Sequence, residues 1–169
     1  MPWGTDNYYF RNFYIKKQYD VLASYTSYRR KIYPLRSKIH RMLVEMDISS
    51  YIRRVYFEES VLKINQSRIC INTGSRYEGF INPRVTEVMS CGSFLLSERN
   101  DEFESFGYQD GKHLVLFDNL IDLKEKILYY LEHENERKKI ALEGMHFVRK
   151  NYSLKNQVSK FLSILKQHI

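Results

Sequence analysis

Cysteine is scarce: Cys70 and Cys91 are the two in 169 residues. They fall in segments that read as a buried strand and a helix end, so neither a disulfide scaffold nor a zinc site is supported, and both are expected as buried thiols. No apolar run approaches the roughly 18 residues of a membrane-spanning helix. The opening MPWGTDNYYF is polar and aromatic where a cleavable leader would be basic and then apolar. These absences point to an intracellular, cytoplasmic protein. Internal repeats and low-complexity tracts are also missing, which argues against solenoids and flexible tethers.

What remains is a globular composition, 43% hydrophobic and 28% charged, at a length usual for one domain and sufficient to bury a real core. A complete two-domain enzyme would need about twice that length. Lys and Arg number 27 against 20 Asp and Glu, a formal charge of +7. That excess favours anionic partners: a nucleic acid, a membrane surface or a phosphorylated small molecule. Charge alone does not choose among them.

Residues 1–19 show no sustained period and carry the turn formers Pro2, Gly4, Asp6 and Asn7, so they read as a lead-in segment outside the core. Asp20 to Tyr25 reads as a buried strand. Pro34 opens a helix at its first turn, with Leu35, Ile39, Met42, Leu43 and Met46 on one face. Asp47 to Arg54 is ambiguous. Phe57, Val61, Leu62 and Ile64 mark a second amphipathic helix that ends near Asn65 to Ser67. Ile69 to Asn72 is a strand, Pro83 to Met89 a helix stopped at Gly92, and Ser93 to Ser97 a strand. An acidic loop, Glu98 to Glu104, and a turn at Asp110 to Lys112 lead to a strand at His113 to Phe117. Three helices follow, with stripes at Leu120/Leu123/Ile127/Leu131, Ile140/Gly144/Phe147/Val148 and Val158/Phe161/Leu162/Leu165. Strands alternating with helices predict an α/β fold, a parallel sheet with helices on both faces. Ligands of such sheets sit outside the carboxyl ends of the strands, in the loops after Tyr25, Asn72, Ser97 and Phe117.

The loop after Asn72 leads through Gly74 and Gly79 into a helix whose first turn holds Pro83 and Arg84, with Glu87 one turn in. Free amides of Arg84, Val85 and Thr86 and the positive end of the helix dipole favour a phosphate there. Gly79 allows close approach to the backbone, Arg84 offers a bidentate contact, and Glu87 can accept hydrogen bonds from two ribose hydroxyls. The same spacing equally describes a surface Arg84–Glu87 ion pair with Asn82 as N-cap. Arg29, Arg30, Lys31 and Arg36 follow the first strand as candidate anion contacts or as a solvated basic face, Arg36 being the best placed. His113, at a strand start away from the carboxyl ends, is expected to be structural, and Asp101 and Glu102 to be solvated.

The stretch YEGFINPRVTEVMSCGSFLLSE (77–98) resembles the signature of glycosyltransferases group 1, most closely the spore-maturation-protein (CgeB-like) branch. DGKHLVLFDNLIDLKEKILYYLEHENERKKIALEGMHFVRKNYS (110–153) is similar to that family's strand, paired helices and closing helix, so the resemblance covers roughly residues 57–169. Pro2 to Phe10 is similar to the linker that leads into the C-terminal half of two-domain GT-B enzymes. The resemblance implies a Rossmann-like donor-binding domain, with 1–19 as an interdomain-linker-like lead-in, 20–152 as the nucleotide-sugar-binding domain and 153–169 as a crossover helix. It implies a partner or N-terminal domain to complete the enzyme, and a sheet trimmed between Met46 and Phe57.

By the same resemblance Arg84 and helix-start amides hold the donor diphosphate, Glu87 contacts the ribose, Asn82 shapes the turn and Arg36 lies near the diphosphate. Glu78 stands one position further from Glu87 than in the paired glutamates of related retaining enzymes, where strict spacing lands on Gly79. It reads either as a sugar-hydroxyl contact or as a solvated carboxylate. No metal or other cofactor is implied beyond the nucleotide-sugar donor.

The leading expectation is therefore a nucleotide-diphosphate-sugar donor domain of a glycosyltransferase. The alternative is a non-catalytic or split module that needs a partner domain. Tyrosines interleaved with Arg and Lys in residues 8–33 would suit stacking on single-stranded nucleic acid. No nucleic-acid motif accompanies them, and no nucleic-acid partner is expected.

Overall fold

The computed structural model of the protein describes residues 4–24, 33–74 and 81–167. In chain order the elements are β1 (Tyr19–Leu22), α1 (Pro34–Glu45), β2 (Ser50–Tyr51), α2 (Phe57–Gln66), β3 (Ser67–Asn72) and α3 (Pro83–Ser90). Then come β4 (Phe94–Glu98), α4 (Glu102–Ser105), β5 (Val115–Phe117), α5 (Leu120–Glu132), α6 (Glu134–Tyr152) and α7 (Leu154–Gln167). The five strands pair in parallel in the order β2-β1-β3-β4-β5. This is the expected α/β, Rossmann-like sheet.

Strands buried on both faces need apolar residues at consecutive positions, and these strands have them. Because side chains alternate across a strand, Leu22, Cys70, Leu95 and Leu116 pack on one face with α2, α3 and the end of α6. Val21, Ile69, Ile71, Phe94, Leu96, Val115 and Phe117 pack on the other with α1 and α5. The chain steps from β1 outward to β2 and then back across to β3, so the strand order reverses between β1 and β3. Sheets of this order open a ligand crevice at that reversal, outside the carboxyl ends of the two strands.

Helix boundaries follow local chemistry. Pro34 and Pro83 occupy first-turn positions, where the missing N–H costs nothing. Gly92 ends the α3 region with φ of +66°, a conformation that glycine adopts without a Cβ penalty.

Two expectations are corrected and one ambiguous stretch is resolved. The lead-in is part of the core: Phe10 is 5% exposed and packs in the α2/α3 cluster. Tyr9 stacks on Phe57, and Thr5 bridges to Ser153. Aperiodic segments give no helical or strand signal, yet single aromatics can anchor them. The acidic stretch is not one loop, since Glu98 ends β4 and Phe103 in α4 is buried. The ambiguous Asp47 to Arg54 holds β2, just two residues long, at the sheet edge. No helix among the described residues is long and apolar enough to cross a membrane.

Candidate functional site

The crevice between β1 and β3 is organised around Thr73, the residue that follows β3 and is 4% exposed. From α1, the Arg36 Nε donates to Thr73 Oγ1 at 2.8 Å. From the start of α3, the Asn82 Nδ2 donates to the Thr73 carbonyl at 3.1 Å. The Arg36 guanidinium also lies 3.7 Å from the ring centroid of Tyr33. Loop ends that are far apart in sequence are thus tied together at one backbone position.

Asn82 is the N-cap of α3, its Oδ1 accepting from the Arg84 amide at 3.1 Å. The Val85 amide donates to the Asn82 carbonyl at 3.2 Å. Two of the three helix-start amides expected to be free are therefore engaged within the protein, because the Asn82 cap satisfies the helix end internally. The dipole's positive end remains at that position.

Arg84 and Glu87 lie side by side, as a three-residue helical spacing requires. Arg84 Nη1 is 3.5 Å from Glu87 Oε2, and the side chains are 24% and 22% exposed. Arg84 Nη1 also donates to Ser60 Oγ in α2. Burial pushes the Glu87 carboxyl above the ordinary glutamate range, and the Arg84 charge holds part of that rise back. The Arg84–Glu87 ion pair and the Asn82 N-cap are both present, the pair partly buried rather than fully at the surface.

Asn82, Arg84, Glu87 and Arg36 are thus brought to one end of the sheet. Glu78 and Gly79, and with them Arg29, Arg30 and Lys31, lie outside the described residues. Sequence reasoning missed Thr73, Ser60 and Glu98. Glu98 Oε2 accepts from the Gly74 amide at 2.6 Å, and Asn72 Nδ2 donates to Ser97 Oγ at 3.0 Å. The parallel register, with Asn72 opposite Ser97, sets both contacts. A small polar residue directly after an apolar strand was the one signal for Thr73.

Cys70, Cys91 and His113 are structural. Burial pushes both thiols, Cys70 and Cys91, up to about 12, which leaves them protonated and inert. His113 is 7% exposed, stacks on Phe147 at 4.2 Å and accepts from the Gln109 amide through Nδ1. Burial, with Lys112 nearby, lowers its pKa, so it stays neutral.

The family model described as glycosyl transferase-like matches residues 26–163. No curated protein matches the sequence significantly. Among solved structures, sucrose-phosphate synthase from Thermosynechococcus elongatus is 13% identical with a TM-score of 0.73, over 98% of this chain and 51% of that one. Anabaena HepE, in complex with UDP-glucose, is 16% identical with a TM-score of 0.59, over 85% of this chain and 39% of that one. The C-terminal domain of a glycosyl transferase group 1 family protein from Francisella tularensis is 12% identical with a TM-score of 0.64, over 89% of this chain and 100% of that domain. The chain therefore spans about half or less of the two larger proteins and the whole of an isolated C-terminal domain.

Proposed function

Because the chain belongs to the glycosyl transferase-like family, we propose that it is the donor-binding half of a group 1 glycosyltransferase of the CgeB-like branch. In this reading it holds a nucleotide-diphosphate sugar at the β1/β3 crevice for transfer of the glycosyl group to an acceptor hydroxyl. The observation that carries the reading is the convergence on Thr73, which draws Arg36 and the Asn82-capped start of α3 to the point where strand order reverses.

In the proposed complex Arg84 and Arg36 face the diphosphate, and Glu87 accepts hydrogen bonds from the ribose hydroxyls. Asn82 fixes the turn, and Gly79 and Glu78, outside the described residues, are the remaining candidate contacts. The bond from the anomeric carbon to the diphosphate oxygen breaks with its electron pair on that oxygen. The acceptor oxygen forms the new bond and gives up its proton. Guanidinium groups and the helix dipole stabilise the charge that develops on the leaving diphosphate, an electrostatic contribution that calls for no cofactor. UDP-sugars are the first donors to test, since HepE is described with UDP-glucose.

The proposed organisation is a lead-in over 1–19, the nucleotide-sugar-binding domain over 20–152 and a crossover helix over 153–169. A second reading, a split or non-catalytic module completed by a partner domain, is favoured by α7. Its apolar residues Val158, Phe161, Leu162 and Leu165 are 40–54% exposed.

Calorimetric titration with UDP, GDP and their sugar conjugates tests the proposal. The wild-type chain is expected to bind one of them. Arg84→Ala and Glu87→Ala should each weaken binding by about tenfold or more, as loss of a charge-assisted hydrogen bond implies. No binding by a folded wild-type chain would remove the donor-domain reading in favour of the partner-dependent module.

A further inference from the structure

At the opposite end of the sheet, beside the amino ends of β3 and β4, lies a cleft of about 650 Å³. That is within the range of about 300–1,000 Å³ usual for small-ligand sites. Its walls come from the lead-in, the starts of the two strands and the first half of α6. Thr73 and Glu98 mark the other end of the same strands, so a ligand here is not the proposed donor.

The cleft has a basic half and an apolar half. Of its five cations, Arg68 pairs with Asp20 at 3.1 Å and Lys138 with Glu134 at 2.5 Å. Lys16, Lys17 and Arg137 have no carboxylate within ion-pair distance among the described residues. Arg137 is 6% exposed. Its Nη1 donates to the carbonyls of Tyr130 and Leu131 at the end of α5, and Lys17 Nζ donates to the Asn65 carbonyl at 2.8 Å. Carbonyl dipoles satisfy hydrogen bonds without cancelling charge, so a nearly buried guanidinium held this way is costly and favours an incoming anion. The apolar half is Phe94, Ala141, Leu142 and Met145.

One lip carries Tyr14 and Ile15, which are 90% and 38% exposed, and Phe13, 39% exposed, precedes them in the chain. Tyr14 holds a left-handed backbone, φ 53°, with its amide bonded to Asn12 Oδ1 at 2.8 Å. A non-glycine residue adopts that conformation only against a steric penalty. Here it holds an aromatic ring outward beside the basic half.

We propose that this cleft binds an amphiphilic anion, a phosphate or carboxylate carried on a hydrocarbon group, with the anion at Lys16, Lys17 and Arg137 and the hydrocarbon against Phe94, Leu142 and Met145. Such a group occurs in a soluble small molecule and in an anionic bilayer lipid, and the exposed lip fits either source.

Hexyl phosphate, titrated calorimetrically into the full chain, probes the shared chemistry. Binding is expected, weakening as salt rises. The variant Lys16→Glu reverses the charge of one exposed side chain of the anion site, and should weaken binding by at least tenfold with an unchanged thermal midpoint. Flotation with phosphatidylcholine vesicles, with and without phosphatidylserine, separates the sources. Association with the anionic vesicles alone, lost in Phe13→Ser/Tyr14→Gly, identifies a lipid, whereas hexyl phosphate binding without flotation identifies a soluble amphiphile. Absence of both, equal binding by the charge-reversed variant, or exclusion of hexyl phosphate by a single-stranded oligonucleotide would overturn the proposal.

Discussion

Glu87 shows how one residue serves a site at a cost to the fold. Its carboxyl is raised by burial more than Arg84 lowers it, so ionisation is less favourable in the folded chain than in the unfolded one. A raised folded-state value means that the associated stability is fully present below the ordinary glutamate value of 4.5 and is lost as pH rises through the folded value. Glu87→Gln removes the titration and keeps the hydrogen-bonding shape. Its thermal midpoint is expected to equal or exceed wild type at pH 7, with the difference vanishing as pH falls below 4.5. Donor binding should weaken in the same variant, by no more than in Glu87→Ala. A midpoint well below wild type at neutral pH would show that the Arg84 attraction outweighs the burial penalty. Asn82 acts differently, since it both caps α3 and anchors Thr73. Asn82→Ala should cost about 1–2 kcal/mol in chemical denaturation, the usual value of an N-cap with one further hydrogen bond.

Between elements, Gly144 marks a close approach, where α6 crosses the chain leading into β5. A Cβ there would meet the His113 carbonyl oxygen at 2.2 Å and Met89 Cε at 2.9 Å. In an open helix, alanine would improve on glycine by about 1 kcal/mol. Here the methionine can move but the His113 backbone is held, its amide donating to the Gln109 carbonyl at 3.0 Å and its ring stacked on Phe147. The steric cost of about 1–3 kcal/mol or more therefore wins, and Gly144→Ala is expected to lower stability in urea unfolding. An unchanged or raised midpoint would mean that α6 shifts freely, which its tight packing on α3 argues against. The stripe at Ile140, Gly144 and Val148 reads as an ordinary apolar face in sequence, and only the approach distance shows that Gly144 is a required gap in it.

At the scale of the whole molecule, the sheet buries its apolar residues on both faces while α7 leaves its own uncovered. Phe161 and Leu165 are 54% and 40% exposed, and contiguous apolar surface of this kind seeks a partner. The wild-type chain is expected to self-associate with rising concentration in sedimentation experiments. Phe161→Ser/Leu165→Ser should remain monomeric with an unchanged thermal midpoint, because exposed side chains contribute little to folding. A wild type that stays monomeric at all concentrations would count against a missing partner surface. The tyrosines follow the same division: Tyr108, Tyr130 and Tyr152 are buried packing residues, while Tyr8 and Tyr14 project into solvent.

The amino-acid order by itself determined the α/β class, the helix starts at Pro34 and Pro83, the stop at Gly92 and the apolar strands, because these depend on periodicity and on backbone chemistry within a few residues. It also placed Asn82, Arg84, Glu87 and Arg36 on the loops and first turns that a parallel sheet presents to ligands. Only the tertiary structure decided that Thr73 joins Arg36 to Asn82 and that Glu98 meets the Gly74 amide. It likewise decided that Phe10 belongs to the core and that a basic cleft opens at the far end of the sheet. Each of these depends on which strands are neighbours and in what register, a long-range outcome that local patterns in the chain do not encode.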